Sequence, residues 1–429
     1  MALTTRAAAL LLLGIVPVVL RPAGSTVWAW ALVWLLVVGA DLLLAASPSA
    51  LRLARDGDGQ VRLGESLTTG LVVENTGGRR ARGLLRDGWP PSAGATPGRH
   101  PLDVPAGERR RVVTTLVPTR RGDRLADRVT TRLVGPLGLA ARQRSVEVPG
   151  RVRVLHAFPS RKHLPSRLAV LRELDGRAAV RTRGQGTEFD SLRDYVDGDD
   201  VRSIDWRATA RRQHLVVRTW QPEQHRRIVI VIDTGRTTAG RVGDAPRLDA
   251  AMDAALLLTA LAGHARDRVQ VVAGDRRVHT RISGADRASL LHEVISRLAP
   301  VDPQVVETDW GALAGEVARS THRALVVLLT PLEPAAVEEG LLPVLPALVA
   351  HHRVVVASVS DPALERMRTA RDGSVEVWGA AAAERTIALR GVAAEALGRL
   401  GVDVIDAPPD DLAVRLADHY LALKRQGLL

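Results

Sequence analysis

The side chains best suited to chemistry fall in one polar run, Asp194 to Trp220, where Asp194, Asp199, Asp200, Asp205, Arg202, Arg211, Tyr195 and Trp206 crowd together without a helix or strand period. Gly198, between Asp197 and Asp199, is a turn signal, since glycine tolerates positive φ and flanking aspartates bond their own backbone. Arg202 stands three residues from both Asp199 and Asp205, so a single helical turn would bring either carboxylate to its guanidinium. Trp206, Thr209, Ala210 and Arg211 continue on nearby faces. Charge pairing is therefore the expected chemistry, in a half-buried network of carboxylates and guanidinia, because burial of either charge alone is costly. A solvated charged loop is the competing reading.

Enzyme signatures are absent. No Gly-Lys dipeptide exists to close a phosphate-cradling loop, no Gly-x-Ser-x-Gly elbow occurs, and His292-Glu293 is followed by Ser296 where a zinc protease needs a second histidine. His351-His352 is expected at an exposed helix end.

In order along the chain, Leu192-Arg193-Asp194-Tyr195, Gly198-Asp199-Asp200, Arg202, Ile204-Asp205-Trp206 and Thr209-Ala210-Arg211 resemble the signature of the bacterial domain of unknown function 58 family. That resemblance implies a membrane-tethered protein with a von Willebrand factor A-like domain, often encoded beside a MoxR-type AAA ATPase. Domains of that kind carry a metal-ion-dependent adhesion site, Asp-x-Ser-x-Ser, completed by a threonine and an aspartate from later loops. A hard divalent ion such as magnesium needs those oxygens. Here the first segment reads Asp233-Thr234-Gly235-Arg236-Thr237, and Thr308-Asp309 matches the threonine loop. Gly235 offers no ligand, Thr330-Pro331 stands where Ser-Asp is common, and Arg236 brings a positive charge. The resemblance thus implies a degenerate site at Asp233, Thr237 and Thr308, with weak magnesium binding and a residual partner-binding surface. A strand-end aspartate that merely caps the following turn is the plainer alternative.

These residues must be held by a larger frame. At 429 residues the chain has room for two or three domains. Its net charge is +12, yet only Lys162 and Lys424 are lysines, arginine is scattered among acids, and two Phe and two Tyr leave little for base stacking, so nucleic-acid binding is disfavoured. The absence of cysteine excludes disulfides and thiolate metal sites. Residues 1–50 hold two apolar segments, Ala7–Leu20 and Val27–Ala46, separated by Arg21-Pro22-Ala23-Gly24-Ser25. Twenty helical residues cover about 30 Å, enough for a bilayer core. A transmembrane hairpin is expected, with a signal peptide as the alternative reading of Leu10–Leu20. Arg6, Arg52 and Arg55 against a lone Arg21 favour both ends, and the soluble domains, on the cytoplasmic side of the cell membrane. Asp41, near the end of its segment, is expected at the interface; a functional intramembrane carboxylate is the alternative.

Residues 60–159 place short apolar runs, Leu67–Val73, Val112–Val117, Val129–Val134 and Val152–Leu155, between turn signals, which reads as a small β-sandwich. Residues 160–226 read as a linker, helical over Leu168–Leu174, followed by the signature region. Residues 227–429 alternate strands with Ala/Leu-rich helices. The strands are Ile228–Ile232, Val269–Val272, Ala324–Leu329, Val354–Val359 and Val402–Ile405; the helices are Arg247–Ala265, Ala285–Leu298, Trp310–Thr321, Pro334–Ala350 and Asp410–Gln426. This is a doubly wound α/β domain, in which ligands collect beyond the carboxyl ends of strands, where Asp233 lies. The expected function is a membrane-anchored adaptor without enzymatic activity, joining a MoxR-type ATPase and client proteins. A metal-dependent adhesion or ligand-binding module is the second reading and a hydrolase the third.

Overall fold

The structure, a computed structural model, describes residues 2–181, 188–221, 226–284, 287–319, 322–370 and 373–429. It comprises two compact units, Met1–Ala157 and Phe158–Leu429.

The first unit opens with β1 (Ala2–Leu3), α1 (Thr5–Leu13), α2 (Ile15–Leu20) and α3 (Gly24–Leu44). Among these, α3 is long and apolar enough to cross a membrane, while the apolar stretch Thr5–Leu20 is shorter. The first helices are held against α3 where the Trp34 indole N–H donates to the Ala7 carbonyl at 2.8 Å. Strands follow as β2 (Leu51–Arg55), β3 (Gly59–Arg62), β4 (Leu67–Asn75), β5 (Ala81–Asp87), β6 (Ala95–Thr96), β7 (His100–Val104), β8 (Arg109–Leu116), β9 (Gly122–Leu125), β10 (Arg128–Val134), β11 (Ala140–Glu147) and β12 (Arg151–Leu155). They form sheets ordered β1-β11-β10-β5-β7, β2-β4-β8-β6 and β3-β12-β9. Alternation along β4 and β10 sends Leu71, Val73, Val129 and Leu133 inward, where the first two sheets share one core with Leu85 and Leu102. Inside it the Arg55 and Asp87 side chains pair at 2.7 Å, and Trp89 donates to the same carboxylate at 2.8 Å.

The second unit begins with α4 (Leu164–Arg181), β13 (Glu188–Asp194), α5 (Trp206–Arg212) and β14 (Val216–Gln221). After β15 (Arg227–Asp233) come α6 (Arg236–Ala239), the small hairpin β16 (Arg241–Val242) and β17 (Ala245–Pro246), α7 (Arg247–His264), β18 (Arg268–Gly274) and β19 (Val278–Gly284). The remainder is α8 (Arg287–Leu298), α9 (Trp310–Ala318), β20 (Leu325–Leu329), α10 (Leu345–Val349), β21 (Arg353–Val359), α11 (Pro362–Thr369), α12 (Ser374–Arg399), β22 (Asp403–Ala407) and α13 (Pro409–Gln426).

One six-stranded sheet organises this unit, in the order β19-β18-β15-β20-β21-β22. All neighbours run parallel except the edge strand β19, which is antiparallel to β18. Continuous apolar strands suit it because helices cover both faces. Val229 and Val231 meet Leu313 and Val317 of α9, Leu345 and Leu348 of α10, and Ala393 and Leu397 of α12. On the other face α7 is buried along most of its length, between the sheet and α13.

Several expectations change here. Helix α4 packs on α7 and α13 and buries Leu171, so residues 164–181 belong to the second unit's helical layer. The region 334–350 is broken into a π-helical stretch, Ala336–Leu341, and the short α10, with Pro343 between them and Pro346 in the first turn of α10. His352 is buried, not exposed, and burial beside His351 pushes its pKa down. The expected start of one helix at Ala285, the expected end of another at Thr321 and the Arg183–Gly184 junction lie outside the described residues.

Candidate functional site

Strand order reverses beside β15: the chain goes from β15 to β18 on one side and later to β20 on the other. The carboxyl ends of β15 and β20 therefore flank the crevice in which open α/β sheets bind ligands. Asp233 ends β15 and is 2% exposed. Its Oδ1 accepts from Thr308 Oγ1 at 2.5 Å and from the Gly235 amide at 2.7 Å; its Oδ2 accepts from Thr330 Oγ1 at 2.7 Å and Thr237 Oγ1 at 3.3 Å. Burial pushes the Asp233 pKa up, and these four bonds act against that rise.

The three hydroxyls come from three places: the turn after β15, the loop before α9 and the end of β20. Thr330, at the end of β20, thus gives its hydroxyl to Asp233, and the next residue, Pro331, has no carboxylate to add. Gly235 has a steric reason, since a Cβ there would lie 2.2 Å from Thr308 Oγ1. Asp309, next to Thr308, turns to α9 and caps it, accepting from the Ala312 amide at 3.0 Å. Arg236 is paired with Glu307 at the surface.

Asp233, Thr237 and Thr308 open into a cleft of about 270 Å³, lined also by Trp310, Glu339 and the Arg236–Glu307 pair. A second group supports the wall: Thr234 Oγ1 donates to Asp275 Oδ2 at 3.0 Å, and His279 Nε2 lies 2.6 Å from the same oxygen. Although burial alone would raise it, the His279 and Thr234 contacts hold the Asp275 pKa below the ordinary carboxylate value. Neither Asp275 nor His279 was singled out by the sequence; the end of β18 at Gly274 was the available signal. As a donor set for magnesium, the Asp233 oxygens are already taken by three hydroxyls and an amide, and the neighbouring Glu307 is paired with Arg236, whose positive charge opposes a cation. Among the described residues no three His, Cys, Asp or Glu side chains gather to hold a metal. The residues present do not fit that ion.

The signature run is organised by a two-stranded antiparallel ribbon, β13 with β14, with Asp194 opposite Val216. Gly198 takes φ of +108°, and Asp199 accepts from the Val196 amide at 3.0 Å while pairing with Arg193 at 2.5 Å. The Arg193 guanidinium, first, and the Val196 amide hold the Asp199 pKa down. Asp200 bonds the Arg202 amide at 2.9 Å, and Asp205 caps α5 through the Arg207 and Ala208 amides at 3.0 and 2.9 Å. The Ala208 amide and then Arg218 hold the Asp205 pKa down.

The pairs expected around Arg202 are replaced: Asp199 turns to Arg193, and Asp205 to Arg218 at 2.8 Å. Thr209 Oγ1 accepts from the Val216 amide at 3.1 Å, and the Tyr195 amide donates to Leu215. Tyr195, Asp199, Asp205 and Thr209 are half-buried, whereas Gly198, Asp200, Arg202 and Arg211 are exposed and Trp206 is 66% exposed. The expected network is therefore replaced by a ribbon with local caps, which buries Ile204, Val216 and Val217 and leaves Arg202, Trp206 and Arg211 exposed. Among the described residues, none of the partners of Asp233 comes from this run.

Comparison with known proteins adds the following. The uncharacterized protein Rv1480 of Mycobacterium tuberculosis (strain ATCC 25618 / H37Rv) is 25% identical over 186 residues, 42% of this chain and 56% of its own length. An uncharacterized protein of Mycobacterium bovis matches to the same extent. The chain therefore spans little more than half the length of these relatives. Among solved structures, the conserved hypothetical protein BatB from Bacteroides thetaiotaomicron is 13% identical, covers 46% of this chain and 98% of its own, and has a TM-score of 0.29. The family model described as protein of unknown function DUF58 matches residues 191–392, from within the ribbon through Asp233 and the cleft into α12.

Proposed function

We propose that this chain is a membrane-anchored adaptor, without enzymatic activity of its own, that works with a MoxR-type AAA ATPase and presents the Asp233 cleft to protein partners. The observation that carries this reading is the saturation of Asp233: four donors use its oxygens, so this carboxylate shapes a surface and is not itself free to act as a base or nucleophile. A von Willebrand factor A-like fold is supported by the strand order and by an aspartate ending the first parallel strand at the crevice. A membrane hairpin with cytoplasmic domains is supported by α1 and α2 packing on α3, and by Arg6, Arg52 and Arg55 sharing one end while Arg21 has the connector. The exposed ribbon with Trp206 is the second contact surface.

Titration calorimetry of the full chain in detergent with magnesium, against Asp233→Ala, tests the cleft. The expected result is no saturable heat that depends on Asp233; saturable, Asp233-dependent binding replaces this reading with a metal-dependent adhesion module. A pull-down with a MoxR-type ATPase from the same cell tests the partnership: retention that Trp206→Ala weakens is expected, and failure with folded protein defeats the adaptor.

A further inference from the structure

The Asp41 carboxylate lies within α3, is fully buried, and has no part in the function proposed above. Its Oδ1 accepts from the main-chain amide of Leu137 at 2.7 Å, and its Oδ2 from those of Leu139 at 2.7 Å and Ala140 at 2.9 Å. The first two amides belong to the turn between β10 and β11, Gly135-Pro136-Leu137-Gly138-Leu139, and the third opens β11; the turn is closed by the Gly135 amide on Ala140 and the Gly138 amide on Gly135. The fit needs glycine at 135, where a Cβ would lie 2.3 Å from both the Asp41 carbonyl and Oδ1.

The same turn receives the other end of the helical segment. The Thr4 amide donates to Leu139 at 3.0 Å and Thr4 Oγ1 to Gly138 at 2.6 Å, while β1 pairs with β11. At the end of α3, carbonyls without helical partners are met by guanidinia of the β-sheet unit: Arg142 on Leu42 at 3.1 Å and Arg79 on Leu43 at 2.5 Å. Ala7, Val38, Leu139 and Ala140 close the joint with an apolar cluster. A carboxylate buried here without partners would be costly, and bonds from several amides to one charge are among the strong ones.

We infer that Asp41 is a latch that joins the apolar helices and the β-sheets of the first unit into one rigid body, so that a tilt or pull on the helices moves the sheets directly. The short segment 45–50 is then not a hinge.

Because the chain has no cysteine, labels are placed cleanly. The full chain carrying Leu35→Cys on α3 and Arg109→Cys on β8 is spin-labelled in phospholipid vesicles, with and without Asp41→Ala. The parent is expected to give a narrow distance distribution and slow exchange of the Leu137, Leu139 and Ala140 amides. Asp41→Ala is expected to broaden the distribution and speed those three amides by about tenfold or more while β4 keeps its protection. Asp41→Asn, which keeps one acceptor, is expected to fall between. A distribution as narrow in Asp41→Ala as in the parent overturns the latch. Should that variant not fold, the parent decides alone: a broad distribution, or fast exchange at the three amides, overturns it equally.

Discussion

At Asp233 the arrangement of hydroxyls around one carboxylate makes each threonine's share measurable. Thr308→Val keeps shape and removes a bond to a buried acid, so unfolding of the α/β unit in urea is expected to show a loss of about 2 kcal/mol. Gly235→Ser, which supplies the first serine of the adhesion motif, is expected to destabilise further and to bring no magnesium binding, since its Cβ would need the space of Thr308 Oγ1; calorimetry with magnesium checks this. Another buried acid gives a pH signature. Asp253, inside α7, has its pKa raised from 3.8 to about 6 by burial, partly offset by Ser160. A raised folded pKa means the native state holds its proton longer, so this group's contribution is most favourable below pH 4 and is lost as pH rises through 6. The difference is roughly 3 kcal/mol. Asp253→Asn is therefore expected to raise Tm at pH 8 and to leave it unchanged at pH 4, as scanning calorimetry at the two pH values would read.

At the scale of elements, the ribbon β13–β14 depends on Asp205, which caps α5 and pairs with Arg218. Its depressed pKa supplies stability above the ordinary value of 3.8 that disappears as pH falls below it. Asp205→Ala is expected to speed amide exchange across the ribbon and α5 at pH 7 with β15 unaffected; equal protection in both proteins would refute the role. The ribbon was illegible in the sequence because Glu188–Asp194 is rich in charge and its partner β14 buries Val216 and Val217 side by side, so no alternation of apolar and polar residues marks either strand. Strands β15, β18, β20 and β21 were legible because both of their faces are covered, which demands unbroken apolar runs. Edge strand β19 buries only Ile282 and so left no such trace. Helix α12 escaped notice for a related reason: it buries a narrow line of Ala380, Ala383, Ala393 and Leu397 in an alanine-rich background. The candidate site was legible at Asp233, Thr237 and Thr308 through motif spacing, but Asp275 and His279 meet it only through sheet geometry.

For the molecule as a whole, the question is which side of a membrane each part occupies, and arginine distribution gives the prediction. A net charge of +12 suits soluble units held at an anionic inner leaflet, where each basic residue near the surface adds attraction. Single cysteines introduced at Leu3, Ser25 and Gln143 distinguish the possible topologies, using a membrane-impermeant maleimide on intact cells. With two crossings and cytoplasmic domains, Ser25→Cys between α2 and α3 is labelled in intact cells, while Leu3→Cys and Gln143→Cys react only after permeabilisation. With α3 as the sole crossing, Leu3→Cys reacts with Ser25→Cys. Labelling of Gln143→Cys in intact cells would put the sheets outside and remove any cytoplasmic ATPase from reach of this chain. The pairing of β1 with β11 favours the first pattern, because Leu3 and Gln143 then belong to one sheet and must share a compartment.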